Sequence, residues 1–357
     1  MSTNSSDKIF NALAVIGNNS KSRETIVASL LLAEKNLACQ DFNVRNEITG
    51  PIVDALYRDV ETQCKVLQQG LSYYFSYQGN IHRELVMSVE EHPDHVWEPQ
   101  TTRLLMKLAE SASTVIIGGA YSGDQALLVA HSLRGHGRVF CFEPNESERN
   151  QLQLNITKNG LTNVHIDERG LWSSDGVHLS LADAEDHSHS GSALADENNS
   201  DAFPAISLAT FCSEQKIASV DLIMLDIEGG EQEALKGAEL FLKMESDQAP
   251  NLIFEVHSSY VDWSKGLDKT DIIKYVTDCG YTAYAIRDFQ GNWPLKDQPI
   301  ELILPQDAYL DGPPHGFNVL AVKDRKILDG QDFILRKGVS PKYLRHRDPN
   351  LHGPLEA

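Results

Sequence analysis

The chain has 357 residues, 41% of them apolar and 23% charged, and a formal net charge of −20. That length allows two domains of roughly 150 residues each, and the composition supports a sizeable core, which excludes disorder of the whole chain. So acidic a chain is a poor electrostatic partner for phosphate backbones and anionic lipid, which argues against nucleic acid as the bulk partner. The longest apolar runs reach about half the length that a membrane helix needs, so no membrane span is expected. The N-terminal apolar run at 9–17 lacks the basic segment of a secretory signal. Five cysteines, at 39, 64, 141, 212 and 279, are scattered without a Cys-x-x-Cys pair. Such spacing suits reduced thiols. The expected location is cytoplasmic.

Residues 1–112 read as a helical N-terminal extension. Apolar residues at Ile26, Leu30, Leu31 and Ala33 predict a helix over 22–36, and Ile52, Leu56, Val60, Leu67 and Leu71 extend a second over 52–71. Gly50-Pro51 separates them, with Pro51 suited to a first helical position. A short strand is expected at 85–89 and a further helix at 97–108. No chemical motif stands out in this region, so packing against a main domain is its plain use.

From residue 113 the pattern changes to strands alternating with helices. Strands are expected at 114–118, 138–142, 163–167, 177–181, 220–225, 251–256, 281–286 and 316–322. Helices are expected at 124–133, 146–158 and 231–243, the second closed by Asn159-Gly160. This alternation predicts an α/β fold with a mostly parallel, doubly wound sheet and helices on both faces. Residues 183–201 form a polar acidic segment with His187 and His189, a composition that fits a solvated loop better than a metal site. The basic tail, 325–357, carries seven Lys/Arg and two Asp between 325 and 347. It is read as lying on the protein's own acidic surface, with an anionic substrate as the other use.

The chemistry is expected at the carboxyl ends of the strands. Gly118-Gly119-Ala120-Tyr121-Ser122-Gly123 joins the first strand to its helix, and glycines there let backbone approach a ligand. Glu143 follows the second strand, twenty residues beyond Gly123, where a carboxylate can accept hydrogen bonds from both hydroxyls of a ribose. A glycine turn and an exposed acid would give the same letters without a ligand. The loop lacks the G-x-G-x-x-G of a diphosphate site. Its form suits a nucleoside cofactor with an amino-acid end, S-adenosylmethionine, over NAD.

The stretch Asp221, Asp226, Glu228, Gly229, Gly230, Glu231, Leu235 and Gly237 resembles the signature of the FkbM family of S-adenosylmethionine-dependent methyltransferases. Glu143-Pro144-Asn145 with Leu152 and Asn155 resembles the family's second-strand motif, and Phe254-Glu255-Val256-His257 its fifth-strand motif. The resemblance runs from about 114 to 322 and implies a class I methyltransferase, Rossmann-like, with a seven-stranded sheet over 113–324. Ile117 stands where the family usually has an acid, Tyr121 where it has Asn, and Met224 where a basic residue is common.

The resemblance further implies O-methylation of a small-molecule or glycan acceptor: a sugar, a glycoconjugate or a polyketide-type product. Cofactor contacts are expected from Gly119, Ala120, Tyr121, Gly123, Glu143, Pro144 and Asp226, with Gly170 and Leu171 near the adenine. Trp172 is either a further adenine neighbour or a core aromatic. His257, at the end of the fifth strand, is the expected base, with Asp226 beside the acceptor hydroxyl; a structural histidine is the competing use. Glu231 and Glu233 suit a helix start. Asp226 with Glu228 or Glu255 offers oxygen ligands of the kind magnesium takes, although no ligand set follows from the spacing. The rival functions are a non-catalytic cofactor-binding protein and a nucleotide-dependent oxidoreductase.

Overall fold

The computed structural model describes residues 5–37, 43–183, 190–311 and 315–343. The chain divides into two compact units, one of residues 1–99, 289–296 and 343–357, the other of 100–288 and 297–342.

In the first unit, helices α1 (Ser5–Gly17), α2 (Ser20–Asn36) and α3 (Gly50–Tyr57) come first. Val27, Val53, Leu56, Tyr57 and Met87 form its apolar core. The helix expected over 52–71 stops at Tyr57. Strands β1 (Gln63–Val66) and β2 (Ser72–Phe75) follow as an antiparallel hairpin around Gly70, whose φ of +81° suits the turn. Burial along β2 alternates, with Tyr73 and Phe75 inward, so the two-residue period overrides the helical spacing of Leu67 and Leu71. The strand expected at 85–89 is instead the end of α4 (Gly79–Val86), which buries Leu85. Helix α5 (Pro99–Ala109) leads into the second unit.

The second unit is built on β3 (Thr114–Gly118), β4 (Arg138–Phe142) and β5 (Val164–Asp167). A short β6 (Gly170–Leu171), the hairpin β7 (His178–Asp183) and β8 (Ser190–Ala195), and β9 (Phe203–Ile206) come next. The remaining strands are β10 (Leu222–Leu225), β11 (Asn251–His257), β12 (Thr282–Ile286), a short β13 (Asp288–Phe289), β14 (Ile300–Ile303), β15 (Gly316–Val322) and β16 (Phe333–Arg336). The main sheet has nine strands in the order β16-β14-β12-β15-β11-β10-β3-β4-β5. β5, β4, β3, β10 and β11 run parallel, and β15 enters antiparallel between β11 and β12. These are seven of the eight expected strands, the eighth, at 177–181, being β7 of the smaller sheet; β14 and β16 extend the main sheet at one edge. Part of the basic tail is therefore sheet, Phe333–Arg336. A second sheet holds β6, β9, β7 and β8.

Both faces of the main sheet are covered, which is why β3 and β10 read as unbroken apolar runs. Side chains alternate between two cores. Ile116, Phe140, Phe142, Ile223 and Leu225 join one, along with Phe211, Leu235, Leu242 and Ile272 from helices α8 (Leu208–Glu214), α9 (Glu231–Gly237), α10 (Glu239–Leu242) and α11 (Asp271–Asp278). Val115, Ile117, Val139, Cys141 and Met224 join the other, along with Leu104, Val129, Leu152 and Ile156 from α5, α6 (Ala126–Ser132) and α7 (Glu146–Lys158). Ile117 and Met224 are thus core residues. Helix α7 starts where expected: Asn145 caps it, its side chain accepting from the amides of Ser147 and Glu148.

Strand order reverses between β3 and β10, where the chain leaves β3 toward β4 on one side and returns through β10 on the other. Ligands of open α/β sheets gather at the carboxyl ends of the strands around such a point. Gly118, Glu143, Asp226 and His257 all end or follow strands on that edge.

Candidate active site

The glycine loop is fixed on every side. The amides of Gly119 and Ala120 both donate to the Phe142 carbonyl, and the Tyr121 amide donates to Glu143 Oε2 at 2.8 Å. Tyr121 has a φ of +46°, in the left-handed region that Gly or Asn adopts more easily. Glu143 is buried and its other oxygen, Oε1, accepts from the Asn145 amide at 2.9 Å. Burial raises its carboxyl above the ordinary range, and the Asn145 and Tyr121 amides pull it back down. Each oxygen of a carboxylate has two lone-pair sites, so one amide apiece leaves acceptor capacity for two hydroxyls.

Two loop glycines serve packing. A Cβ on Gly119 would lie 1.8 Å from the Asp226 carbonyl oxygen, and φ there is +75°. At Gly123, φ +94°, it would meet Leu152 Cδ1 at 2.7 Å. Asn155, fully buried on α7, donates from Nδ2 to the Ser122 carbonyl at 2.9 Å. Its anchoring role was not evident in the sequence, where the only sign is a polar residue three places after the buried Leu152. Pro144 offers its carbonyl to Arg149, which also reaches the Glu143 carbonyl.

The turn after β10 is held from within. The Asp226 amide donates to the Gly118 carbonyl at 3.0 Å, which joins this turn to the glycine loop. Glu228 and Gly229 both adopt left-handed backbone, φ +56° and +89°, a conformation that costs a non-glycine residue roughly 1–2 kcal/mol. Glu231 compensates. Its side chain turns back so that Oε1 accepts from the amides of Ile227 (2.8 Å) and Gly229 (3.2 Å). Complete burial pushes its carboxyl up to about 7, opposed by those amides and reinforced by the charge of Glu228. Glu231 therefore does more than open a helix. Glu233, by contrast, points away from the turn and accepts from Lys236 on its own helix and from the Ser173 hydroxyl.

His257 ends β11 opposite Gly316. The Ser259 amide donates to its Nδ1 at 3.1 Å, so the neutral imidazole carries its proton on Nε2. A Cβ on Gly316 would lie 2.5 Å from both Glu255 Oε1 and His257 Cδ2; the glycine leaves the room those two side chains occupy. Tyr260 stacks its ring over Gly229, lies 5.6 Å from the His257 ring, and donates to Glu228 Oε2 at 3.3 Å. Burial and the Glu228 charge raise its phenol. Sequence reasoning missed Gly316, which only pairing across β11 and β15 brings to this edge, and Tyr260, which the turn after β11 folds back against Gly229.

Gly170 and Leu171 form β6 and pair with Ala205 and Ile206. Leu171 is a core side chain that reaches under Gly118. Trp172 is half-buried: its ring lies near Gly230, and its carbonyl is so close to Gly237 that a Cβ there would be 2.1 Å away. Among the described residues, no group of three or more His, Cys, Asp or Glu is arranged to hold a metal ion. The magnesium use of Asp226, Glu228 and Glu255 thus finds no ligand set. His187 and His189 lie outside the described residues, as does Cys39. No helix among the described residues is long and apolar enough to cross a membrane.

Residues 118–283 match the family profile described as methyltransferase FkbM domain. No curated protein matches the chain. Among solved structures, a SAM-dependent methyltransferase from Agrobacterium tumefaciens aligns at 11% identity and a TM-score of 0.40, over 74% of this chain and 71% of that one. Precorrin-6y C5,15-methyltransferase from Geobacter metallireducens aligns at 13% identity and a TM-score of 0.34, over 63% and 88%. An O-methyltransferase of tomaymycin synthesis from Streptomyces achromogenes, in complex with SAM, gives 12%, 0.34, 63% and 79%.

Proposed function

We propose that this chain, whose residues 118–283 match the methyltransferase FkbM domain profile, is an S-adenosylmethionine-dependent O-methyltransferase acting on a hydroxyl of a sugar, a glycoconjugate or a polyketide-type product. The observation that carries this reading is Glu143, buried at the end of β4 with one backbone amide on each carboxylate oxygen. That arrangement holds the acid rigidly while leaving it able to accept the two ribose hydroxyls. The donor set fits the cofactor. S-Adenosylmethionine, when bound, supplies a methyl carbon already activated by its sulfonium, so positioning accounts for much of the acceleration.

In this proposal the Gly119–Gly123 loop approaches the cofactor through its backbone and Glu143 fixes the ribose. Asp226, tied to the loop through Gly118, orients the acceptor hydroxyl. His257 receives the hydroxyl proton at Nδ1, whose lone pair the Ser259 amide holds before the acceptor arrives. Acceptor binding therefore replaces that hydrogen bond with one from the substrate. Calorimetric titration with S-adenosylmethionine and with NADH, followed by incubation with sugars, glycolipids and polyketides and mass spectrometry of the products, tests the reading. Binding of S-adenosylmethionine with a methylated hydroxyl is the expected result. Preference for NADH, or tight cofactor binding with no methylated product, overturns it.

A further inference from the structure

The turn after β10 is gripped from outside as well as from within. Glu231 holds its amides. On the other side stands Ser192, on the edge strand β8 of the small sheet. Its amide donates to the Glu228 carbonyl at 2.7 Å, and its Oγ donates to the Ile227 carbonyl at 2.7 Å. Ser192 pairs with Leu181 across the β7–β8 hairpin, so the free edge of β8 is the side that meets the turn. Two acceptors are held by Ser192 and two donors by Glu231, around two consecutive left-handed residues.

What this turn supports is the glycine loop. The Asp226 carbonyl fills the space beside Gly119, and Ile227 Cγ2 lies 3.3 Å from where a Cβ on Gly118 would be and 3.4 Å from one on Gly119. The contact path therefore runs from the hairpin through Ser192 to Ile227 and Asp226, and from these to the loop. A tilt of the turn moves the floor on which Gly118 and Gly119 rest.

From this geometry we infer that Ser192 is a positioning residue for the cofactor site: the β7–β8 hairpin, through the Ser192 hydroxyl, holds the turn that seats the glycine loop and so sets cofactor affinity. The inference rests on the reading that this edge binds S-adenosylmethionine. It adds a residue of the small sheet whose hydroxyl bonds the turn at Ile227. The hydroxyl is the operative group, because the amide bond to Glu228 persists in any non-proline variant.

The test is titration of S-adenosylhomocysteine into the wild type, Ser192→Ala, Ser192→Val and Ser192→Thr. Thr keeps the hydroxyl, and Val has the shape of Thr without it, so the pair isolates the hydrogen bond from packing. Loss of one neutral hydrogen bond should raise the Kd about three- to tenfold in the Ala and Val variants, with Thr close to wild type. Hydrogen exchange at the Ile227 and Gly229 amides should quicken in Ala and Val by more than any fall in global stability accounts for. Equal affinity in wild type and Val, or an equal loss in Thr and Val, overturns the role of Ser192. A wild type that does not bind S-adenosylhomocysteine overturns instead the reading of the site, which is a different result.

Discussion

The carbonyl oxygen of Asp226 stands where a side chain on Gly119 would have to go, 1.8 Å from the position of a Cβ. The loops after β3 and β10 are thus packed backbone to backbone, and the glycine is required by its neighbour before any ligand arrives.

Gly119→Ala should therefore destabilise the protein itself. The left-handed φ alone costs on the order of 1–3 kcal/mol, and the clash with a backbone atom adds to it. Gly123→Ala should be milder, since the nearest obstacle is Leu152 Cδ1, the far end of a side chain that can turn. Melting temperatures and S-adenosylhomocysteine titrations of both variants check the order. A Gly119→Ala protein as stable as wild type contradicts the packing.

Glu143→Ala should weaken S-adenosylmethionine binding by about 1.5–3 kcal/mol, the worth of hydrogen bonds to a charged group. It also strands the Tyr121 and Asn145 amides, so the variant should melt earlier. Glu143→Gln keeps one acceptor oxygen and should fall between the two. Calorimetry on folded variants decides the matter, and unchanged affinity in Glu143→Ala removes the residue from the site.

Glu231 predicts a pH dependence of stability. Its carboxyl is raised from 4.5 to about 7 by burial, so the folded state favours the neutral form. The stabilisation is complete below the unfolded value and is lost as pH rises through about 7. Glu231→Gln retains an oxygen that can accept from the Ile227 and Gly229 amides but does not ionise. Relative to this variant, the wild type should lose melting temperature between about pH 4.5 and 7.5. A difference that stays flat or grows with pH excludes an elevated Glu231.

His257→Ala should leave cofactor affinity nearly unchanged while turnover falls by about 10²–10⁴, the range for a positioned general base. Single-turnover rates with an acceptor that the wild type methylates provide the measurement. Retention of most activity would transfer the proton-accepting role to Asp226.

The strands that organise the site were legible because both faces of the sheet are covered. Thr114–Gly118 and Arg138–Phe142 could be read to the residue, since a doubly buried parallel strand leaves a short unbroken apolar run. The ends of β4 and β10 then located Glu143 and Asp226. What lies between elements was less visible. Nothing local marks Ser192 as a partner of Ile227, thirty-five residues away, because that bond depends on how an inserted hairpin is aligned. Glu231 looked like any acid at a helix start; only its complete burial and backward turn separate it from Glu233. The 52–71 segment misled because Leu67 and Leu71 kept helical spacing into a hairpin whose turn depends on Gly70. β14 and β16 escaped notice because each is short and pairs at an edge of the sheet far from the recognisable motifs.

The first unit is assembled from pieces of chain that are far apart in sequence, and this limits how the protein can be divided. Residues 289–296 belong with 1–99, although they run on from Asp288 of the other unit and return to it before β14. There Asn292 donates to the carbonyls of His95 and Val96, and the Trp293 amide donates to His95 Nε2. A fragment begun at Gln100 would keep that octapeptide and lose all three of these acceptors, depriving the buried Asn292 side chain of two carbonyls and the part-buried Trp293 amide of its histidine. Modularity at the gene level is therefore poor: cutting at one point cannot release the second unit as an independent cassette, and grafting it elsewhere requires either the N-terminal segment as well or a redesigned link across residues 289–296.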